Sequence, residues 1–445
     1  MKIYAAVIQH SASTLSYLNQ GGLLTHAGKL VGATFISQVV LILSSLIITR
    51  LYTPADFGIL AIFTALVTQT IVCASFRYEW AIPLPEDEQV ATELLLLCLI
   101  LTCGIAPLIE IGVILVGHPL AIWLNAPGLD PFLWLLPIVI LFGGWYQSLT
   151  YWSLRQKAFG LIAQTKITQT FWTLGSQISI GLVTPGPLGL LVGATFNQVA
   201  GSGGQALFFW QHSHRQFQDF SVVRLISIGR KYAKFAILAV GSSIVEAANS
   251  VAPALLIAWL YDPQSAGLFA LAQRVTSIPA NLVGKSMSQV FIAHAAELIR
   301  DDPLELKRLF NQTGIFLFAI GLLISLGLFF SPGIFAFAFG ERWRSAGIMA
   351  QYTIPMFVGS MTIGSLTILE WIDRQNWMIG WHGTRLILLC LGFWIAHVGH
   401  YSSVMAIAIL SLVMALMYSI LLLLNIWAIN SLITNHPQSL LKDKI

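Results

Sequence analysis

RLYTPADFG, residues 50–58, sits between two long apolar runs, and WLYDPQSAG, residues 259–267, sits between two others. Leu51, Tyr52, Pro54 and Gly58 recur in register as Leu260, Tyr261, Pro263 and Gly267, an offset of 209 (260 − 51). Each copy reads locally as a helix restart. Thr53 stands at an N-cap, Pro54 at the first helical position and Asp56 near the positive end of the helix dipole. Asp262, Pro263 and Ser265 take the same three places in the second copy. The same offset carries Gly32 onto Gly241, Leu46 onto Leu255 and Ala61 onto Ala270. The stretch PEDEQVATELLLL at 85–97 has a slightly displaced counterpart in DDPLELKRLF at 301–310. The chain therefore reads as two repeats of one unit.

The solvent of those repeats follows from composition. Of 445 residues, 56% are hydrophobic and only 9% charged, against about 25% charged in an ordinary soluble domain. So few charges cannot coat a water-soluble fold, and lipid is the alternative. Apolar segments of about 20 residues then read as spanning helices. They fall at 29–51, 56–80, 90–116, 131–152, 160–182 and 187–210, then at 233–260, 265–294, 308–331, 346–371, 377–398 and 402–431. None alternates with the period of two that a membrane strand requires, so the expectation is an all-α integral membrane protein. It has twelve transmembrane helices in two six-helix repeats. Six is even, so the repeats are parallel.

Domain organisation follows as an N-terminal cytoplasmic or interfacial extension (1–28), a first lobe (29–210), a cytoplasmic linker (211–232), a second lobe (233–431) and a cytoplasmic tail (432–445). The basic residues set the orientation. With a cytoplasmic N-terminus, Arg155, Lys157, Arg215, Arg224, Arg230, Lys231, Lys234, Arg300, Lys307, Arg308 and Arg374 are inside, while the outside connections hold only Arg50, Arg342 and Arg344. That bias satisfies the positive-inside rule. The net charge of +4 is accordingly a topology signal, and no nucleic-acid partner is expected. Cys73, Cys98, Cys103 and Cys390 lie in apolar runs without paired spacing and read as inert thiols, with no metal site. No glycine-rich phosphate loop marks a nucleotide cofactor, and no catalytic constellation marks an enzyme.

Ionisable residues inside spans are costly, about 2.5–3.5 kcal/mol each on insertion scales. The candidates are Arg77, Glu79, Glu110, Lys166, Glu246, Arg274, Lys285, Glu370 and Arg385. Arg77, Lys166, Arg274 and Lys285 facing lipid would together cost on the order of 10 kcal/mol, which a water-filled cationic cavity removes. Such a cavity suits an anion, with Arg presenting a planar fork and Lys a point charge. Gln169 and Gln273 add amides of the kind sugars bind, and the polar fifth span, GLIAQTKITQTFWTLGSQISIGL, reads as a cavity wall. Glu110 and Glu246 are candidates for ion coupling.

The runs GKLVGATFISQVVLILSSLIITRLYTPADFGILAIF, RYEWAIPLPEDE from Arg77, and FGERWRSAG at 339–347 resemble bacterial polysaccharide-biosynthesis membrane proteins, the Wzx-type flippases. These belong to the multidrug/oligosaccharidyl-lipid/polysaccharide exporter superfamily. The resemblance implies a V-shaped two-lobed transporter in the bacterial plasma membrane. It also implies a polyprenyl-pyrophosphate-linked glycan as substrate, flipped from the inner to the outer leaflet, with basic cavity residues on the pyrophosphate. Arg77 stands in the family's RYE-like motif; Lys166, Arg274 and Lys285 rest on the cavity argument alone. Membrane lipids, a polysaccharide polymerase and chain-length machinery are the implied partners. The rivals are a cation-coupled multidrug antiporter of the same superfamily, which prefers an acidic or aromatic cavity, and a membrane glycan polymerase or ligase, which needs a larger outside loop.

Overall fold

The computed structural model describes residues 23–213, 222–284, 287–288, 291–292, 294–295, 298–299, 302–364, 366–369, 372 and 375–435. Most of the expected extension 1–28, the middle of the expected linker (214–221), the tail from 436, Lys285 and Glu370 lie outside the described residues.

Among the described residues every regular element is a helix. In chain order these are α1 Leu23–Leu51, α2 Pro54–Ile71, α3 Glu88–Trp123, α4 Leu135–Arg155, α5 Phe159–Val183, α6 Leu188–Ser213 and α7 Val222–Leu260. Then follow α8 Pro263–Pro279, α9 Pro303–Phe329, α10 Ser331–Phe339, α11 Arg344–Tyr352, α12 Ile354–Thr362, α13 Gln375–Val398 and α14 Ser403–Asn435. Six of them contain stretches long and apolar enough to cross a membrane by length and composition: Pro54–Ile71, Glu88–Trp123, Val222–Leu260, Pro303–Phe329, Trp377–Val398 and Ser403–Thr434. The exposed surface is strongly apolar, and several polar side chains lie inside. Phe337 is 92% and Val183 83% exposed, while Glu79, Gln205 and Asn425 are fully buried. An apolar exterior with polar side chains kept between helices is what lipid selects. The chain is a multi-pass membrane protein.

Several element ends differ from the sequence expectation. Helix α1 starts at Leu23, inside the expected extension, and α7 starts at Val222, inside the expected linker. At 39 residues, α7 is ~58 Å long, well beyond a ~30 Å hydrocarbon core. Its early turns carry Arg224, Arg230, Lys231 and Lys234, which is why hydropathy alone places the start later. The second span stops at Ile71 rather than 80, and a run of turns leads to a 3-10 turn at Tyr78–Ala81. The eighth gives way after Pro279 to a π turn at Ala280–Gly284.

The tenth expected span, 346–371, is not one helix. It is α11 and α12, followed by non-helical chain through 363–364 and 366–369. Irregular backbone at membrane depth requires protein partners, and Asn425 of α14 supplies one. Its Oδ1 accepts from the Ile368 amide at 2.8 Å, while its Nδ2 donates to Leu421 O at 2.8 Å. Leu366, Ile368 and Leu369 are buried in an apolar cluster with Phe310, Leu317, Trp381 and Met417.

By contacts the chain divides into two compact units. One comprises the chain up to Leu51, Leu66–Pro119 and Leu129–Gly241; here α5 packs on both α1 and α6, and α4 packs on α6. The other comprises Tyr52–Ala65, Leu120–Gly128 and the chain from Ser242; here α13 packs on α14, α12 on α9 and α14, and α11 on α8 and α10.

Tyr52–Gly58 of the first copy and all of the second belong to this second unit, and they touch. Thr53 caps α2 as a capping box: its amide donates to Asp56 Oδ2 at 2.8 Å, and the Asp56 amide donates to Thr53 Oγ1 at 3.2 Å. Asp262 caps α8, accepting from the Ser265 amide at 2.7 Å. The first turns of α2 and α8 then cross so closely that a Cβ on Gly58 would overlap the Pro263 carbonyl, and one on Gly267 would overlap the Pro54 carbonyl. The contact is reciprocal. Around it, Phe57 meets Trp343 edge-on at 5.0 Å, Trp123 meets Trp259 at 5.2 Å, and Asn125 Nδ2 donates to Tyr261 O at 3.0 Å. The FGERWRSAG segment therefore joins the same apex through its fully buried Trp343. Beside it, the bidentate Arg344 guanidinium holds the Glu341 carboxyl below its usual range.

Because each glycine faces a carbonyl of the other helix, Gly58→Ala and Gly267→Ala are each expected to destabilise by about 1–3 kcal/mol. Residues in contact couple, so the double variant should lose clearly less than the sum. Thermal unfolding in detergent measures all three, and additive small losses would show that the crossing is not tight.

Candidate functional site

In the first unit, the sequence candidate Arg77 lies in the turns after α2, with φ 59, a left-handed conformation that a large side chain adopts only when its surroundings hold it. Its neighbours do so. Arg77 Nη1 bonds Glu79 Oε1 at 3.2 Å and its guanidinium lies 5.1 Å from the Trp80 ring centroid. Glu79 is fully buried and also accepts from Ser75 Oγ. Arg77 is thus largely neutralised by a residue two positions away, and only its Nε is buried without a hydrogen-bond partner.

The rest of the RYEWAIPLPEDE motif is a platform. Tyr78 Oη donates to Gly229 O at 2.9 Å, Arg224 Nε bonds Glu93 Oε1 at 3.0 Å, and Gln156 Nε2 donates to Glu88 Oε1 at 3.1 Å. Arg155, at the end of α4, directs its guanidinium at the carbonyls of Pro85 and of Glu86, the latter at 3.2 Å. Sequence reading counts Arg155 only as a cytoplasmic charge. Its role as the clamp of a proline-rich loop has no signature in the sequence, since its partners are backbone atoms 70 and 69 residues away.

The polar fifth span also has a partner. Thr165, Gln169, Thr170, Thr173 and Gln177 are buried. Gln169 Nε2 donates to Asn197 O at 2.9 Å, and Asn197 Nδ2 donates to Thr173 Oγ1 at 3.0 Å. These residues form the α5–α6 seam, and helix-to-helix packing in lipid uses such groups. Lys166 is half-buried on the same helix. Glu110, midway along α3, lines an open apolar groove with Cys103, Pro107, Trp134 and Pro137, and its Oε2 is buried without a partner.

In the second unit, helices α7, α8, α12, α13 and α14, the π turn and Thr353 enclose a cavity of about 270 Å³. Of the sequence candidates, Gln273 and Arg385 line it. Arg274, the next residue on α8, is half-buried and does not line it. The Arg385 guanidinium lies 5.2 Å from the Trp381 ring and 6.0 Å from the Tyr418 ring, and its Nε has no hydrogen-bond partner. Among the described residues it forms no ion pair, although Glu246, exposed on α7, is within electrostatic reach of both Arg385 and His382. Asn249 lines the cavity too. It is only 3% exposed, and its Nδ2 donates to Val245 O and His382 O while Oδ1 is unpartnered. Sequence reading missed Asn249 and His382, because a lone amide or imidazole in an apolar run carries no spacing signal.

A family model described as "Polysaccharide biosynthesis protein" matches residues 47–348 of the 445. The chain belongs to that family. No curated protein matches the sequence. Among solved structures, the polysaccharide-biosynthesis chain is similar to the "Lipid II flippase MurJ, inward closed conformation", with a TM-score of 0.64 and 14% identity over 88% of this chain and 86% of that one. It is also similar to a mutant form of the Vibrio cholerae MATE transporter VcmN, with a TM-score of 0.54 and 15% identity over 94% and 98%. An inward-facing multidrug resistance MATE family transporter of the MOP superfamily gives 0.53 and 14% over 92% and 95%. At these identities what is shared is the fold, the one the sequence resemblance implies.

The Arg155 clamp is testable without a transport assay. Hydrogen bonds to a charged donor contribute about 1.5–3 kcal/mol, so Arg155→Ala should free residues 82–86 for proteolysis while helical circular dichroism is unchanged. Unaltered cleavage kinetics in that loop would show that the carbonyls do not depend on Arg155.

Proposed function

We propose that this polysaccharide-biosynthesis protein translocates a lipid-linked oligosaccharide, carried on polyprenyl pyrophosphate, from the inner to the outer leaflet of a bacterial plasma membrane. Its termini are cytoplasmic and its products feed O-antigen, capsule or exopolysaccharide assembly, with a polymerase and chain-length machinery downstream. The observation that carries the reading is the cavity around Arg385. A cation that forms no ion pair among the described residues, held inside a bundle of lipid-facing helices, is retained against a cost of several kcal/mol and favours an anionic, hydroxyl-bearing cargo. Family membership supports the same direction, as does a fold shared with a lipid II flippase.

The energetics suit the task. Two negative charges moving outward run with an inside-negative potential, worth about 2.3 kcal/mol per charge per 100 mV. Arg77, Lys166, Arg274 and Lys285 remain proposed contacts for the pyrophosphate, and Gln169 and Gln273 for the sugars. Alternating access completes the cycle, and no catalytic step or cofactor is required. In a strain lacking the protein, Arg385→Ala is expected to reach the membrane at wild-type level yet restore less than about a tenth of surface glycan, with lipid-linked glycan accumulating inside. Wild-type surface glycan from that variant would refute the reading.

The fold shared with multidrug transporters supports a second reading, a cation-coupled drug antiporter, but an Arg without an ion pair in the cavity opposes a cationic cargo. For coupling we propose Glu110, whose unpartnered oxygen in an apolar groove suits a proton that comes and goes; Glu246, exposed beside Arg385, is the alternative. Glu110→Gln should make glycan export insensitive to collapse of the pH gradient. Export that still falls by the wild-type factor moves the coupling elsewhere.

A further inference from the structure

The cavity around Arg385 has an unusual hydrogen-bond balance. Five aliphatic hydroxyls line it, those of Ser250, Thr276, Ser277, Thr353 and Ser360, together with the Tyr418 phenol. Each of the five donates its proton to a carbonyl of its own helical stretch: Ser250 to Ala247 O, Thr276 to Ala272 O, Ser277 to Arg274 O, Thr353 to Ala350 O and Ser360 to Phe357 O. A hydroxyl has one proton and two lone pairs, so all five offer the cavity acceptors only. Asn249 does the same, since its amide hydrogens are engaged and its Oδ1 is bare. Against these stand the donors, the Gln273 amide, the Tyr418 phenol and the Arg385 guanidinium, the last being the sole full cation among the described residues that line the cavity.

We propose that this cavity is a subsite for one monosaccharide residue bearing a carboxylate, a hexuronate-type sugar. The acceptors call for a ligand rich in O–H donors, which a sugar ring is and a phosphate is not. The single guanidinium calls for a single negative charge, which it meets bidentately. A pyrophosphate would bring a second charge into a low-dielectric site whose described lining offers no second cation, an expensive mismatch. A bound metal cation would use the acceptors but would sit beside Arg385. The volume, about 270 Å³, lies just under the range of drug-sized pockets and suits one ring, with Phe269, Phe357 and Tyr418 available to its C–H face. The proposal deepens the glycan-carrier reading by naming a sugar class for it, but the binding it asserts needs no transport.

The test is thermal stabilisation of the purified full chain, because a ligand that binds the folded state raises the melting temperature by mass action. Sodium glucuronate is compared with glucose plus sodium chloride at equal ionic strength, and with sodium chloride alone. The expected result is stabilisation by glucuronate with at least roughly tenfold tighter apparent affinity than glucose. Arg385→Gln should remove that preference. Ser250→Ala, which deletes one acceptor at an exposed position, should weaken glucuronate about threefold to tenfold and leave the preference over glucose in place. Equal stabilisation by the two sugars, stabilisation by sodium chloride alone, or a glucuronate preference that survives Arg385→Gln would overturn the assignment. A negative result here with Arg385→Ala still defective in export would remove the sugar class and leave the carrier reading standing.

Discussion

Two backbones that meet without side chains between them hold the apex of the second unit together. Gly58 faces the Pro263 carbonyl and Gly267 faces the Pro54 carbonyl. Everything local to that crossing is arranged around it. The caps at Thr53 and Asp262 fix where α2 and α8 begin, four residues before each glycine's close contact. Phe57, Trp343, Trp123 and Trp259 then seal the flanks with ring contacts. A repeat that looks like two independent turns in sequence is one joint in space, and its symmetry explains why the glycine recurs along with the proline.

The interior obeys a second constraint, set by lipid. A polar atom has no water to fall back on, so it is matched within the protein or reserved for a ligand. Most are matched. The α5–α6 seam absorbs Gln169, Thr173 and Asn197, and Glu79 absorbs Arg77. The unmatched atoms are the informative ones. Among the described residues two of them, Arg385 Nε and Asn249 Oδ1, line one cavity, and the Arg385 guanidinium has aromatic faces but no ion pair.

Hydropathy exposed the all-helical membrane class, most span positions and the doubled turn, because those depend on runs of apolar residues and on proline and glycine chemistry. Pairing was less legible. Arg77 and the polar residues of α5 read as cavity features since a sequence counts charges and amides without showing what faces them. Arg155 and Asn425 act on backbone atoms far along the chain, and backbone atoms have no letter in the sequence. The break after α12 was hidden for the same reason: residues 363–364 and 366–369 are as apolar as a helix, and the Asn425 contact helps make their irregular path tolerable.

That last contact orders events during synthesis. Ile368 and Asn425 are 57 residues apart, so the amide that needs a partner emerges before the side chain that satisfies it. At about 5–20 residues per second the wait is roughly three to eleven seconds. Through that interval the Ile368 amide lacks the acceptor that α14 later supplies. Helix α14 therefore closes a gap left open by the chain after α12, 57 residues earlier.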